Sequence, residues 1–143
     1  QRMPVLVGGG RGLMAHCWID NLVDGLVLAL GARDVEGGVF HVTDGQDDTT
    51  FGDYFQRLAS AAGVSLPRRS LPAGVALRVG RVLEGLAKVA PFSPPFTATA
   101  ARYLLRRSTY SIAASRRLLG YEPAVDLDEG MARLAHLLRV ERG

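Results

Sequence analysis

Apolar residues recur at helical spacing in several stretches of the chain, and each stretch carries its own start and stop signals. Leu22, Val23, Leu26, Val27 and Leu30 predict a helix with one buried face. Asp20 stands where an N-cap belongs, Asp24 adds negative charge near the positive helix end, and Gly31 offers a stop. Phe51, Tyr54, Phe55, Leu58, Ala59 and Ala62 form a second stripe, opened by an approximate capping box of Thr50 and Asp53 and closed near Gly63. From Pro72 to Ala90 a third helix has Val75, Leu77, Val79, Val82, Leu83, Leu86 and Val89 over a wide arc. Arg78, Arg81, Glu84 and Lys88 hold a narrower one, with Glu84 to Lys88 a favourable i,i+4 pair. Such a basic amphipathic helix suits a membrane surface or an apolar ligand, but the reading adopted is a domain helix with its apolar face on the core. The proline-rich run Pro91 to Thr97 ends it.

Thr97 caps a helix from Ala98 to Arg107, and Ser111 caps another from Ile112 to Leu119, with Gly120 at its C-terminal end. Asp126 with Glu129 opens the last helix, whose apolar face is Leu127, Met131, Leu134 and Leu138. Arg139 and Arg142 lie near its negative end. Three short runs read as strands: Val5 to Val7, Ala15 to Ile19, and the alternating, β-rich Val39 to Thr43 before the Asp44-Gly45 turn. Leu66 to Pro72 reads as a short extended piece.

Composition narrows the class. The chain has 143 residues, 48% hydrophobic and 22% charged, enough for one domain with a core. It contains no apolar run long enough to cross a bilayer and no signal-peptide pattern at Gln1. The lone Cys17 excludes an internal disulfide and suits a cytoplasmic location. The net charge of +3 comes mostly from arginines scattered along helices, which reads as a solvated surface and not a nucleic-acid site. No zinc or calcium spacing is present.

Candidate chemistry is sparse. The glycines at Gly8, Gly9, Gly10 and Gly12 depart from a dinucleotide fingerprint, because Leu13 stands where the pattern wants glycine and another strand-like run follows. A turn is the simpler reading. Tyr54, Tyr103, Tyr110 and Tyr121 are followed four residues on by Leu58, Arg107, Ala114 and Val125, so none makes Tyr-x-x-x-Lys. No nucleophile elbow exists, and Cys17 beside His16 reads as a small hydrophobe sooner than a nucleophile. A histidine on a strand, such as His41, is more often structural than catalytic.

The motifs themselves carry a resemblance. Val5 to Gly10 with His16-Cys17-Trp18-Ile19-Asp20-Asn21-Leu22-Val23-Asp24-Gly25 resembles the segment that opens the C-terminal half of extended short-chain dehydrogenases, the NAD-dependent epimerase/dehydratase superfamily. Trp18 stands where that family usually has a histidine. Gly38 to Gly45, with its Val42-Thr43-Asp44-Gly45, is similar to a second family segment, with His41 in place of the usual asparagine. Pro94-Pro95-Phe96-Thr97 through Leu119-Gly120-Tyr121-Glu122-Pro123 resembles the branch similar to 3β-hydroxysteroid dehydrogenase and related ketone reductases. The resemblance runs from Val5 to Arg133, with its motifs in the family's order.

That resemblance implies an α/β, helix-rich, C-terminal substrate-binding portion of an extended Rossmann-type dehydrogenase, with a few short strands, filling residues 1–143 as one region. It places Arg11, Met14, His16 and Trp18 at the substrate side. It implies NAD or NADP in a full-length parent and none for this chain alone, because the glycine fingerprint and the catalytic Tyr-x-x-x-Lys belong to an N-terminal Rossmann half. That half, in the same or a separate chain, is the expected partner, with a small apolar substrate (steroid-like or β-keto) and no nucleic acid; a homo-oligomer stays open. Two other readings also stay open: a nucleotide-sugar epimerase or dehydratase fragment, with Arg11, Arg68 or Arg69 on the pyrophosphate, and a stand-alone, non-catalytic ligand-binding or interaction module. Faces that meet a missing half are expected to expose apolar surface.

Overall fold

The structure, a computed structural model, describes residues 6–66, 69–89 and 92–141. Val5, Pro67, Arg68, Ala90, Pro91 and Arg142, on which parts of the expectations above fall, lie outside the described residues. The elements in order are β1 (Leu6–Val7), a 3-10 turn (Gly8–Gly10), α1 (Ile19–Gly31), α2 (Phe51–Ala61), β2 (Ser70–Leu71), α3 (Ala73–Ala87), α4 (Ala98–Leu104), α5 (Ala113–Leu119) and α6 (Leu127–Val140). The fold is thus helix-rich with a few short strands, as the motifs imply. The chain divides into two compact units.

The first unit comprises residues 1–13, 50–60 and 64–108. β1 and β2 pair in parallel, Leu6 opposite Ser70 and Val7 opposite Leu71. Its core gathers Val7, Ala76 and Ala101, with Leu71, Leu77, Phe96, Leu104 and Leu105 packed around them. Thr97 caps α4, its hydroxyl accepting from the Ala100 N–H at 3.0 Å. Thr50 does the same for α2, accepting from Asp53 N–H at 3.1 Å. α3 crosses the start of α4 at Gly80, where a Cβ would lie 2.4 Å from the Ala98 nitrogen. Only a glycine permits that approach.

The second unit comprises residues 14–49, 61–63 and 109–143. Its core is Ile112, Leu119 and Tyr121, with Ala29, Ala32, Val35, Phe40 and Val42 against it. Asp126 caps α6 by accepting from Glu129 N–H at 2.8 Å. Gly120 ends α5 in the left-handed region (φ 66°), and the Gly120 and Tyr121 N–H groups close the helix on the Arg116 and Ser115 carbonyls.

Three expectations need correction here. First, α1 begins at Ile19 with Trp18 at the cap position, so Asp20 lies in the first turn. Its carboxylate is drawn sideways, accepting from the Trp18 indole N–H and from Arg133 at 3.1 Å each. Second, the face of α1 that is buried is not the leucine–valine face. Asn21 and Gly25 are buried, whereas Leu22 is 37% and Leu30 88% exposed, with Val23, Leu26 and Val27 between them. Gly25 allows Val42 against the helix, because a Cβ there would stand 2.8 Å from Val42 Cγ1. Third, residues 15–18 and 39–43 form no strand. A strand needs a ladder partner, and these segments meet through one backbone bond, Asp44 N–H to the His16 carbonyl at 3.1 Å. Side chains satisfy other carbonyls instead: the Ser115 hydroxyl donates to His41 O and the Tyr121 hydroxyl to Thr43 O.

Candidate functional site

The polar centre of the second unit is a buried knot around Asp44 and Asn21. The Asn21 side chain is 0% exposed and makes four hydrogen bonds. Its Nδ2 donates to Asp44 Oδ1 and to the Val125 carbonyl, both at 2.6 Å. Its Oδ1 accepts from the Ala124 and Val125 N–H groups at 3.0 Å each. One amide on the first turn of α1 therefore clamps the 42–45 turn and the 124–125 loop, segments that sequence separation keeps far apart.

The Asp44 carboxylate takes two further contacts. The Trp18 N–H donates to its Oδ1 at 2.8 Å, and His16 Nδ1 lies 2.9 Å from its Oδ2. His16 Nε2 in turn lies 3.0 Å from Thr49 Oγ1. An ionised Asp44 accepts a hydrogen bond from the proton on Nδ1, and in the neutral imidazole Nε2 is then the acceptor for the Thr49 hydroxyl. Burial alone would raise the Asp44 carboxyl, but the bonds from His16, Asn21 and the Trp18 backbone outweigh it and hold the group below its usual range. The Thr49–His16–Asp44 order is that of a hydrolytic triad. Thr49, His16 and Asp44 are all buried, however, so the arrangement serves to lock the 14–18 segment to the 44–49 segment.

The four substrate-side candidates differ in setting. Arg11 belongs to the first unit, where it is exposed and its Nε donates to the Gly8 carbonyl at 3.3 Å. Met14, His16 and Trp18 belong to the second. Met14 is half-buried and its N–H donates to the Thr49 carbonyl. His16 is turned into the knot. Trp18 lies over α6, where Gly130 makes room for the indole (a Cβ there would be 2.9 Å from the ring). With Ile19, Asp20, Ala132, Arg133, His136 and Leu137, Trp18 lines an open groove of about 520 Å³. Its walls are apolar, and its rim holds an ion network in which Arg133 bridges Asp20 at 3.1 Å and Glu129 at 2.7 Å.

Cys17 is exposed, yet partial burial and the neighbouring Asp44 carboxylate push its thiol up to about 11. At neutral pH this favours the thiol over the thiolate, the nucleophilic form. Gly8, Gly9 and Gly10 all have positive φ. The Gly9 N–H is taken by Ser70 Oγ at 2.7 Å, and a Cβ on Gly10 would stand 2.7 Å from Gly52 Cα. This loop is a turn packed on its own unit. Among the described residues, no three His, Cys, Asp or Glu side chains gather to hold a metal. The motifs flagged Asp44 only as a turn residue, and Thr49, Ser115 and Tyr121 carried no signal for the knot, because its partners stand 23 to 104 positions apart.

No family model matches the chain. It is 26% identical over 152 residues to mouse (Mus musculus) sterol-4-alpha-carboxylate 3-dehydrogenase, decarboxylating, covering 99% of this chain and 42% of that protein. It is 27% identical over 135 residues to the 2-alkyl-3-oxoalkanoate reductase of Stenotrophomonas maltophilia (strain K279a), covering 90% of this chain and 41% of the relative. Among solved structures, gox2253 superposes with a TM-score of 0.68 at 23% identity over 99% of this chain and 40% of that one. UDP-glucuronic acid 4-epimerase from Bacillus cereus, in complex with NAD, gives 0.59 at 18% over 95% of this chain and 34% of that one. The chain therefore spans about two fifths of the length of the curated relatives it matches. Together these likenesses support reading the chain as similar to the C-terminal part of extended short-chain dehydrogenases and epimerases.

Proposed function

We propose that this chain, residues 1–143 as one region, is the substrate-binding portion of an NAD(P)-dependent oxidoreductase that interconverts a hydroxyl and a ketone on an apolar, steroid-like or β-keto, substrate. The observation that carries the reading is the near end-to-end similarity to two relatives whose names denote a sterol dehydrogenase and an oxoalkanoate reductase. A likeness of fold to a UDP-glucuronic acid epimerase keeps a nucleotide-sugar substrate as the second reading.

On this reading the hydride chemistry belongs to an N-terminal Rossmann half, and this chain alone binds no nicotinamide nucleotide. In the Gly8–Gly10 loop the Gly9 N–H is taken by Ser70 Oγ and Gly10 packs against Gly52, which suits a structural turn. The exposed leucine–valine face of α1, bordered by Asp20 and Asp24, suits the surface that meets the Rossmann half. Arg11, Met14 and Trp18 contribute to substrate recognition, and His16 does so indirectly, by holding the Asp44 turn.

Calorimetry with NAD(H) and NADP(H), on this chain and on a form carrying an upstream Rossmann half, tests the proposal. Binding by the longer form alone, followed by reduction of apolar ketones, is expected. Turnover of nucleotide sugars but not ketones moves the assignment to the second reading. Cofactor binding by neither form refutes both.

A further inference from the structure

α3 presents two apolar faces, and the core uses only one. Ala76 is fully buried, Leu77 packs into the core of the first unit, and Gly80 meets the start of α4. Most of the other large side chains point elsewhere. Val75, Val79, Val82 and Leu86 are exposed at spacings of four, three and four, and Val89, just past the helix, continues the row. Val82 is 61% and Val89 83% exposed. At 100° per residue these five fall within one narrow stripe. The expectation of a helix with its apolar arc on the core is thus met by Ala76, Leu77 and Gly80 and reversed for Val75, Val79, Val82 and Leu86.

The charges beside the stripe are all of one sign. Arg78, Arg81 and Lys88 are exposed along one flank, and none makes an ion pair among the described residues. The helix's one acid, Glu84, is turned inward, where its Oε1 accepts from the Ala98 N–H at 3.0 Å. A second copy of the chain is a poor occupant, because pairing α3 with itself would bring the cations of both copies together. The exposed face of α1 differs in this respect, since acids border it.

We infer that α3 docks the first unit on an anionic lipid surface, with Val75, Val79, Val82 and Leu86 in the acyl boundary and Arg78, Arg81 and Lys88 on acidic headgroups. The chemistry is that of an interfacial amphipathic helix, which lies in the membrane plane. Fifteen helical residues span about 22 Å, short of the roughly 30 Å hydrocarbon core, so the helix rests on the bilayer and does not cross it. The inference stands apart from the oxidoreductase reading and survives its failure.

Flotation of the chain with phosphatidylcholine vesicles, with and without phosphatidylserine, tests it. Binding is expected only to the phosphatidylserine vesicles, and it weakens as salt is raised. Each cation near such a surface contributes about fivefold, so R78E combined with R81E should weaken binding by at least about 25-fold. V82D should also release the chain. Both changes lie on solvent-facing positions, and unchanged far-ultraviolet circular dichroism confirms that each variant is folded. Absence of binding by the wild type overturns the inference. Equal binding to both vesicle types, or binding indifferent to R78E with R81E, overturns it too. Self-association abolished by V82D, without vesicle binding, assigns the face to a second copy instead.

Discussion

Replacing Asn21 with alanine removes four hydrogen bonds from a site with no exposure to solvent. The loss is not that of four average bonds. Val125 is 3% exposed, so its N–H and carbonyl are left without a partner and without easy access to water. A stranded buried group costs about 1–3 kcal/mol, and the Ala124 N–H and Asp44 lose a partner as well. Allowing for partial hydration and non-additivity, Asn21→Ala should destabilise the second unit by about 3–5 kcal/mol. With a urea slope of about 2 kcal/mol/M, the midpoint followed by circular dichroism should fall by roughly 2 M. Asp24→Ala, an exposed change on the same helix, supplies the control and should cost less than about 0.5 kcal/mol. Equal midpoints for the two variants would refute the claim that Asn21 ties the loops together. Asn21→Asp sharpens the test. It would set a second carboxylate where the amide now lies 2.6 Å from Asp44 Oδ1, and one of the pair must then keep its proton. A carboxyl with a raised folded value contributes stability at low pH that is lost as pH rises, so this variant should grow more stable from pH 7 towards pH 5.

The wild type should behave in the opposite sense. Asp44 sits below its usual value, so its contribution is complete above the unfolded value of about 3.9 and is lost as pH falls through the folded one; Asp44→Asn should flatten that acid limb of a stability–pH curve. Gly80→Ala forces a methyl to within 2.4 Å of backbone at Ala98 and should lower stability by about 3 kcal/mol in urea unfolding, whereas Gly74→Ala, with open space around it, should be neutral or stabilising. Cys17, though exposed, should react with iodoacetamide at pH 8 at least about tenfold more slowly in the folded chain than in urea, because its thiol is held at about 11; equal rates would count against the combined influence of partial burial and Asp44.

Local signals were legible where the physics is local. Thr97, Thr50, Asp126 and Gly120 act within a turn of their own positions, and each does in the structure what its residue type predicts. The motifs that resemble those of the epimerase/dehydratase superfamily were legible for the same reason, as short strings in a fixed order. Asp20 failed as a cap because Trp18 and Arg133, the latter 113 positions away, compete for its carboxylate. Periodicity located α1 and α3 but could not say which face of each is covered. Hydrophobic spacing records that a face is apolar, and only packing decides what lies against it. Thus Asn21 and Gly25 face inward on α1 while its leucines face out, and on α3 Ala76 and Gly80 are buried while Val82 is not. The knot of Asn21, Asp44, His16 and Thr49 was beyond the sequence altogether. Hydrogen bonds between residues 23 to 104 positions apart depend on how the chain closes on itself, and no spacing rule reaches that far.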